Sequence, residues 1–315
     1  MIVTLTPNPS VDRTVAVVAL QRGRVMRASA TREDPGGKGL NVSRALALHG
    51  TSTTAVLPVG GLYGRLILDL LAPLDLDLRP VEIASGIRTN IAIVEPDGTT
   101  TKVNELGPHL SDGELDGLRT AVRDASQDAG WVVCCGSLPP GVDDGFYAEL
   151  VRTCHADGLK VAVDSSGGPF SAALAAGPDL IKPNRVELAE AVGRELRTVG
   201  AVVEAARELM AGGVGTVLVS LGRDGALLVT QTEVIQATAT VARPISTVGA
   251  GDAVLAGYLH AISGGASAAE ALSTAVAFGA AAVALPGSKM PGPDNVAGVS
   301  VVVTEGPDPA RPLDD

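Results

Sequence analysis

Residues 246–259 read STVGAGDAVLAGYL, a glycine turn that runs directly into an apolar, helix-forming stretch and carries one carboxylate, Asp252, at the junction. Gly249, Ala250 and Gly251 leave backbone N–H groups uncovered, and a helix starting near Asp252 adds the unpaired donors and positive dipole end of its first turn. Such a place draws anions, phosphate above all. Aspartate is also favoured as a helix cap, so the stretch alone leaves a chemical and a structural role open.

Upstream, apolar runs of strand length alternate with helix-like segments: IVTLT, TTAVLPV, WVVCCG, KVAVDSS, DLIKPN and TVLVSLG. That alternation predicts an α/β fold with a central, mostly parallel sheet flanked by helices. Ser111 with Glu114 and Ser267 with Glu270 have capping-box spacing ahead of two long helical patterns. Two segments break the rhythm, residues 13–32 and 85–104, the second alternating around a Pro-Asp-Gly turn. They predict hairpin strands outside the main sheet, a small β-sheet lid over the strand ends. From about residue 288 the chain turns rich in Pro, Gly and Asp, with one β-like run, VSVVV. The expectation is a main domain over 1–288, then a C-terminal strand and mobile acidic tail over 289–315.

With 315 residues and 46% apolar content, the chain can bury the core of one large domain or two small ones. A net charge of −11 and only three Phe, three Tyr and Trp131 argue against a nucleic-acid or membrane-surface partner. Acidic small molecules remain possible, because charges are screened over about 8 Å and a few cations in a cleft outweigh a distant negative surface. The start MIVTLTPNPS lacks a basic segment and meets Pro7 and Pro9 early, which predicts a cytoplasmic protein. ALSTAVAFGAAAVALP is too short to span a bilayer and reads as a buried core helix. Cys134, Cys135 and Cys154 have neither disulfide-framework nor metal-ligand spacing and read as buried thiols. The four histidines form no zinc or Ser–His–Asp signature, and neither G-x-x-x-x-G-K-[ST] nor G-x-G-x-x-G occurs.

The unusual stretches fall where strands of such sheets end, which is where open α/β sheets bind ligands. DPGGKGLNVSRAL sets Gly36, Gly37, Lys38 and Gly39 before a helix, offering backbone donors and an ammonium to a sugar hydroxyl or phosphate, with Asn41 in the same cleft. The alternative is a plain glycine turn with a solvated lysine. CCGSLPPG ends a buried strand in Gly136 and Ser137, as a rigid floor or a stiff turn. LIKPNRVEL carries Lys182, Asn184 and Glu187; its Asn-x-x-Glu spacing suits oxygen ligands and waters around Mg²⁺, or simply opens a helix. VSLGRDGALLV reads as strand, tight turn and strand, with Gly222 and Gly225 permitting close backbone approach to a flat or anionic ligand.

PGGKGLNVSRAL, SGIRTNIAIV, GSLPPGV, IKPNRVEL, VSLGRDGALLV and STVGAGDAVLAG occur here in one order and spacing. In this the chain resembles the PfkB group of ribokinase-like sugar kinases over about residues 1–288. Within the group it is most similar to the 1-phosphofructokinase branch, through TPNPSVDRTV, GGKGLNV and TTTKVNELGP, with tagatose-6-phosphate kinases and minor 6-phosphofructokinases as near relatives. The resemblance implies a ribokinase-like fold and phosphoryl transfer from ATP, with Mg²⁺, to fructose 1-phosphate. It implies that Asp252 accepts the sugar hydroxyl's proton while the N–H groups of Gly249, Ala250 and Gly251 hold the transferring phosphoryl. An aspartate of ordinary pKa, about 4, would contribute mainly orientation and late proton acceptance.

The same resemblance puts Asp12, Gly37, Lys38 and Asn41 on the sugar, Arg88 and Asn90 on its phosphate, and Ser137 in the same pocket. Arg24 stands where some relatives carry a lysine near that phosphate. Lys182, Asn184 and Glu187 would serve the nucleotide phosphates and Mg²⁺, the last two through water. Ser220, Gly222 and Gly225 would lie near the nucleotide, and Thr247 and Val248 near its ribose and base. LPGSKMPGPDNV departs from the family pattern, which leaves the adenine-side wall open. Lid strands of this family often pair between subunits, which implies a homodimer. A non-catalytic sugar-phosphate sensor would be expected to lose the base or the anion hole, and both are intact. A kinase for an unphosphorylated sugar or nucleoside is opposed by Lys38 and Arg88, expected to meet at the lid.

Overall fold

The computed structural model describes residues 1–314. In chain order the strands are β1 (Ile2–Leu5), β2 (Ser10–Ala16), β3 (Ala30–Gly36), β4 (Thr53–Val59), β5 (Asp77–Glu82), β6 (Arg88–Val94) and β7 (Thr100–Asn104), then β8 (Trp131–Cys135), β9 (Lys160–Asp164), β10 (Leu180–Ile181), β11 (Thr216–Ser220), β12 (Ala226–Val229), β13 (Val234–Ala239) and β14 (Val301–Glu305). The helices are α1 (Lys38–Leu48), α2 (Gly61–Leu71), α3 (Asp112–Ala125), α4 (Phe146–Ala156), α5 (Gly167–Leu174), α6 (Arg185–Val192), α7 (Val199–Ala211), α8 (Ala250–Ser263), α9 (Ala268–Val283) and α10 (Pro293–Ala297).

Ten strands form one sheet in the order β14-β13-β12-β11-β10-β9-β8-β1-β4-β5. From β5 across to β11 the pairs are parallel, and β11 to β14 continue antiparallel. All six apolar runs read from the sequence are strands of the parallel part, which is buried on both faces and therefore needs no polar alternation. One face packs on α3, α4 and α7, the other on α1, α8 and α9. Both expected capping boxes are present, Ser111 with Glu114 on α3 and Ser267 with Glu270 on α9. α9 is the buried core helix, and the three cysteines are buried and free.

The chain leaves β1 for β4 on one side and returns on the other at β8, so the topological switch lies between β1 and β8. A crevice opens there, at the carboxyl ends of the strands. Over it lies the second sheet, β3-β2-β6-β7. The lid strands start before and end after the expected 13–32, at Ser10 and Gly36, because β2 follows β1 after a turn of four residues, 6–9. The β6–β7 hairpin closes on Pro96-Asp97-Gly98 as expected, whereas β2 also pairs in parallel with β6.

The strand expected after residue 288 is β14. β14 pairs with β13 and so belongs to the main sheet. The expected mobile tail is docked: Leu313 is buried, Pro312 bridges Thr198, and Val199 and Gly200 donate their N–H groups to the carbonyls of Arg311 and Pro309. Among the described residues no helix is long and apolar enough to cross a membrane.

Candidate active site

The strand ends converge on a buried group of opposite charges. β9 ends in Asp164, which is fully buried, and an isolated carboxylate there would be costly. Two ammonium groups meet it: Lys38 Nζ lies 2.7 Å from Oδ1 and Lys182 Nζ 3.2 Å from Oδ2. Burial pushes the Asp164 carboxyl up, but the charges of Lys182 and Lys38 outweigh it and hold the group below its ordinary value. Lys38 stands 3.9 Å from Glu187 as well. Burial works against its charge, yet the charges of Asp164, Asp252 and Glu187 raise its pKa well above the ordinary lysine value.

Asp252 sits beside this group, third residue of α8 and nearly buried. The helix starts two residues earlier than expected, with Gly249 as its cap at φ 78°, and no side chain caps it. Asp252 is thus no helix cap. The amides of Gly249, Gly251 and Asp252 make no backbone bond, whereas that of Ala250 makes a long one, 3.4 Å, to the carbonyl of Thr247. Asp252 instead accepts a 2.8 Å hydrogen bond from Asn41 Nδ2. Burial first, then the nearby charge of Asp164, push its carboxyl up to about 6, against the pull of Lys38, Asn41 and Lys182. An acid expected at about 4 therefore has a pKa closer to neutral pH, the range in which proton acceptance is most effective.

The Asn41 amide is oriented from behind. Buried Arg44, one turn on in α1, donates from Nη1 to Asn41 Oδ1 at 2.9 Å and to the carbonyls of Pro35 and Ser288, each at 3.2 Å. Because Oδ1 is taken by a donor that stays charged, Nδ2 is the atom turned to Asp252. The departing segment LPGSKMPGPDNV therefore braces the Asn41 side of the site: Ser288 O holds Arg44, and Met290 covers Gly249.

Across the crevice, Asp12 on β2 lies opposite Asn90 on β6 and accepts from Ser10 Oγ at 2.7 Å and Asn90 Nδ2 at 2.9 Å. Burial raises its pKa. Asp12, Arg13, Asn90, Lys102, Val248 and Ser288 line one cleft under the lid. Ser137, after β8, takes a 3.3 Å bond from Asn8 Nδ2. Arg88 donates to the Glu105 carbonyl at 2.9 Å, and its buried Nε has no partner. Gly37 caps α1 at φ 131°.

Several expected placements change. Lys38 does not meet Arg88 at the lid; the buried Asp164 carboxylate draws it to the strand ends. Asn184 and Glu187 form a capping box, Asn184 Oδ1 accepting from the Glu187 N–H at 2.9 Å and Glu187 Oε2 from the Asn184 N–H at 2.8 Å. Asn184 thus caps α6, and Glu187 Oε1 faces the charge group. Val248, expected near the ribose and base, lines the lid cleft, and Thr247 beside it is exposed. Arg24 lies in an exposed turn and does not line the cleft. Ser220 at the end of β11 bridges Asn184, and Gly222 and Gly225 flank the turn after it, so these residues expected on the nucleotide side lie near one another.

Asp164, Arg44 and Lys102 were not singled out from the sequence. An acid ending a buried strand run is the signal for Asp164, and an arginine three residues after Asn41, on one helix face, that for Arg44.

The profile of the pfkB family carbohydrate kinases matches residues 5–295. The chain is 38% identical over 307 residues to a 1-phosphofructokinase of Rhodobacter capsulatus, covering 96% of each chain. It is 35% identical over 299 residues to an ATP-dependent 6-phosphofructokinase isozyme 2 of Mycobacterium tuberculosis, covering 94% of this chain and 87% of that one. Its fold superposes with a TM-score of 0.90 on phosphofructokinase-2 of Escherichia coli in complex with substrates and products, at 35% identity over 94% of this chain and 97% of the other. With its ribokinase-like sheet and lid, the chain belongs to the pfkB family of carbohydrate kinases, phosphotransferases that act on an alcohol group.

Proposed function

We propose that the protein transfers the γ-phosphoryl group of ATP to fructose 1-phosphate, giving fructose 1,6-bisphosphate and ADP. The observation that carries this reading is Asp252, a carboxyl raised to about 6 at the open first turn of α8. The sugar hydroxyl forms a bond to the γ-phosphorus as the bond to the ADP oxygen breaks, and Asp252 takes the hydroxyl's proton. The Gly249, Ala250 and Gly251 amides, with that of Asp252 and with Lys38, would stabilise charge on the transferring group. Mg²⁺ takes one or two carboxylates together with phosphate oxygens and water, and Glu187, with Asn184 beside it through water, would hold it. When bound, the ion neutralises charge on the nucleotide phosphates.

On the acceptor side, Asp12 and Asn90 bind sugar hydroxyls, while Arg88, Lys102 and Ser137 receive the phosphate the sugar already carries. Arg88, the first residue of β6, supports an anion there by its charge, with only one guanidinium nitrogen spent on the Glu105 carbonyl. Fructose 6-phosphate is the second reading, supported by the 6-phosphofructokinase among the relatives, with tagatose 6-phosphate beside it. This reading puts the enzyme in the cytoplasm, as a homodimer joined through the lid, whose Val18, Val103 and Leu106 are exposed.

Coupled ADP release with fructose 1-phosphate, fructose 6-phosphate, tagatose 6-phosphate and fructose tests it. Fructose 1-phosphate is expected to give the highest kcat/KM, and unphosphorylated fructose to lag by about 10³, because a site built for a phosphate is left with unpaired charge. A higher kcat/KM for either 6-phosphate would transfer the assignment to that sugar; no phosphosugar-dependent release would end it.

A further inference from the structure

Asp224 is a buried carboxylate at the end of the one-turn 3₁₀ helix Gly222–Asp224, at the carboxyl end of the parallel sheet. Both its oxygens are held by the C-terminal tail: Arg311 Nη2 donates to Oδ1 at 2.7 Å and the Asp314 N–H to Oδ2 at 2.9 Å. The ring closes through buried Gln236 on β13, whose Nε2 donates to the Asp224 carbonyl at 3.1 Å and whose Oε1 accepts from Arg311 Nη1 at 3.0 Å. The tail is anchored at the opposite side, on the first residues of α7, by the Val199 and Gly200 amides. These bonds join the last residues of the chain to a turn more than eighty positions earlier.

The turn joins the paired strands β11 and β12, and Gly225 N donates to the Gly222 carbonyl at 3.2 Å. Leu221 N donates to the Gly225 carbonyl at 2.8 Å and Asp224 N to the Leu221 carbonyl at 3.1 Å. Gly222 and Gly225, at φ 61° and 80°, give its backbone a freedom that other residues lack. A buried carboxylate deprived of its guanidinium partner is costly and is relieved by moving toward water, which here means opening the turn.

We infer that the C-terminal tail, through Arg311, is a positioning clamp that sets the Gly222–Gly225 turn for nucleotide binding. The inference rests on the reading of that turn as the nucleotide's border. Arg311 touches no reacting atom; it acts through Asp224, and it leaves the Asp252 and lid sides of the site untouched. Its loss therefore separates the two substrates.

The test compares Arg311→Met, which keeps the aliphatic stem, with Arg311→Lys, Gly222→Ala and the parent, measuring KM for ATP, KM for fructose phosphate and kcat, with far-UV circular dichroism as the fold check. Arg311→Met is expected to raise KM for ATP about tenfold, on the scale of a lost hydrogen bond to a charged group, with KM for the sugar and kcat within about twofold. Arg311→Lys restores part of the loss. Gly222→Ala, strained at φ 61° although its new methyl meets no protein atom, is expected to raise KM for ATP as well. An unchanged KM for ATP in folded Arg311→Met, beside a raised one in Gly222→Ala, overturns the clamp alone. Unchanged values in both overturn the clamp together with the nucleotide reading of the turn, and an equal rise for both substrates in Arg311→Met overturns the clamp as a nucleotide-specific device.

Discussion

The floor of the crevice and its lid are built on opposite plans. On the floor, Asp164, Lys38, Lys182, Asp252, Asn41 and Arg44 occupy the ends of core strands and the starts of core helices, and charged groups there are matched by partners. The lid is a single layer of four strands whose outward residues are exposed, and Arg88 keeps a buried nitrogen without a partner. The difference teaches a division of labour. Proton and phosphoryl chemistry needs groups held in place, and a packed core holds them; acceptor recognition needs a surface that can close on a ligand and complete its own hydrogen bonds.

If the floor does the chemistry, its loss is the largest. Asp252→Asn is expected to lower kcat by at least about 10²-fold while nucleotide binding and fold persist, since it removes a positioned base. Single-turnover and equilibrium binding measurements check this; near-normal turnover would return Asp252 to a structural role. Lys38→Met is expected to lower kcat by about 10²-fold with little change in the sugar KM, because Lys38 belongs to the floor. A selective rise in sugar KM would move Lys38 back to the lid and erase the contrast.

On the lid, Arg88→Ala is expected to raise KM for the phosphosugar about ten- to a hundredfold and leave KM for ATP near its parent value, from a lost charge-assisted contact of about 1.5–3 kcal/mol. The smallest effect sharpens the comparison in stability. Val163→Ala, at the buried end of β9, is expected to cost about 2 kcal/mol in urea unfolding, and Thr100→Ala, at the exposed start of β7, less than about 0.5 kcal/mol. Equal costs would mean that the lid is as tightly packed as the floor.

The floor was also the more legible region. Apolar strand runs such as WVVCC and TVLVS specify buried parallel strands by composition alone, and Ser111 and Ser267 open their helices as local spacing dictates. β5 escaped notice because an edge strand reading DLRPVE has a proline and alternating charges. The parallel pairing of β2 with β6 joins residues about eighty apart and leaves no local trace. Glycine turns, Lys182 and Asp252 could be read as site residues from spacing and from likeness to the family, whereas which partner a lysine chooses could not. Lys38 turns to Asp164 because a buried carboxylate 126 positions away needs a counter-charge. The tail looked mobile because it is rich in Pro, Gly and Asp, and it is docked because Arg311 finds a buried acid, Asp224.

The central claim is that Asp252 works as a base tuned by burial and restrained by Asn41. The direct measurement is kcat/KM for the phosphosugar against pH, in the parent and in Asn41→Leu. The carboxyl must be ionised to accept a proton, so activity is full above a pKa of about 6 and falls roughly tenfold per pH unit below it. Removing the Asn41 hydrogen bond, which lowers that pKa, moves the acid limb to higher pH by about one unit. An acid limb near pH 6 that shifts upward in Asn41→Leu is the predicted result; a limb near pH 4, or one that stays fixed when Asn41 is replaced, would contradict it.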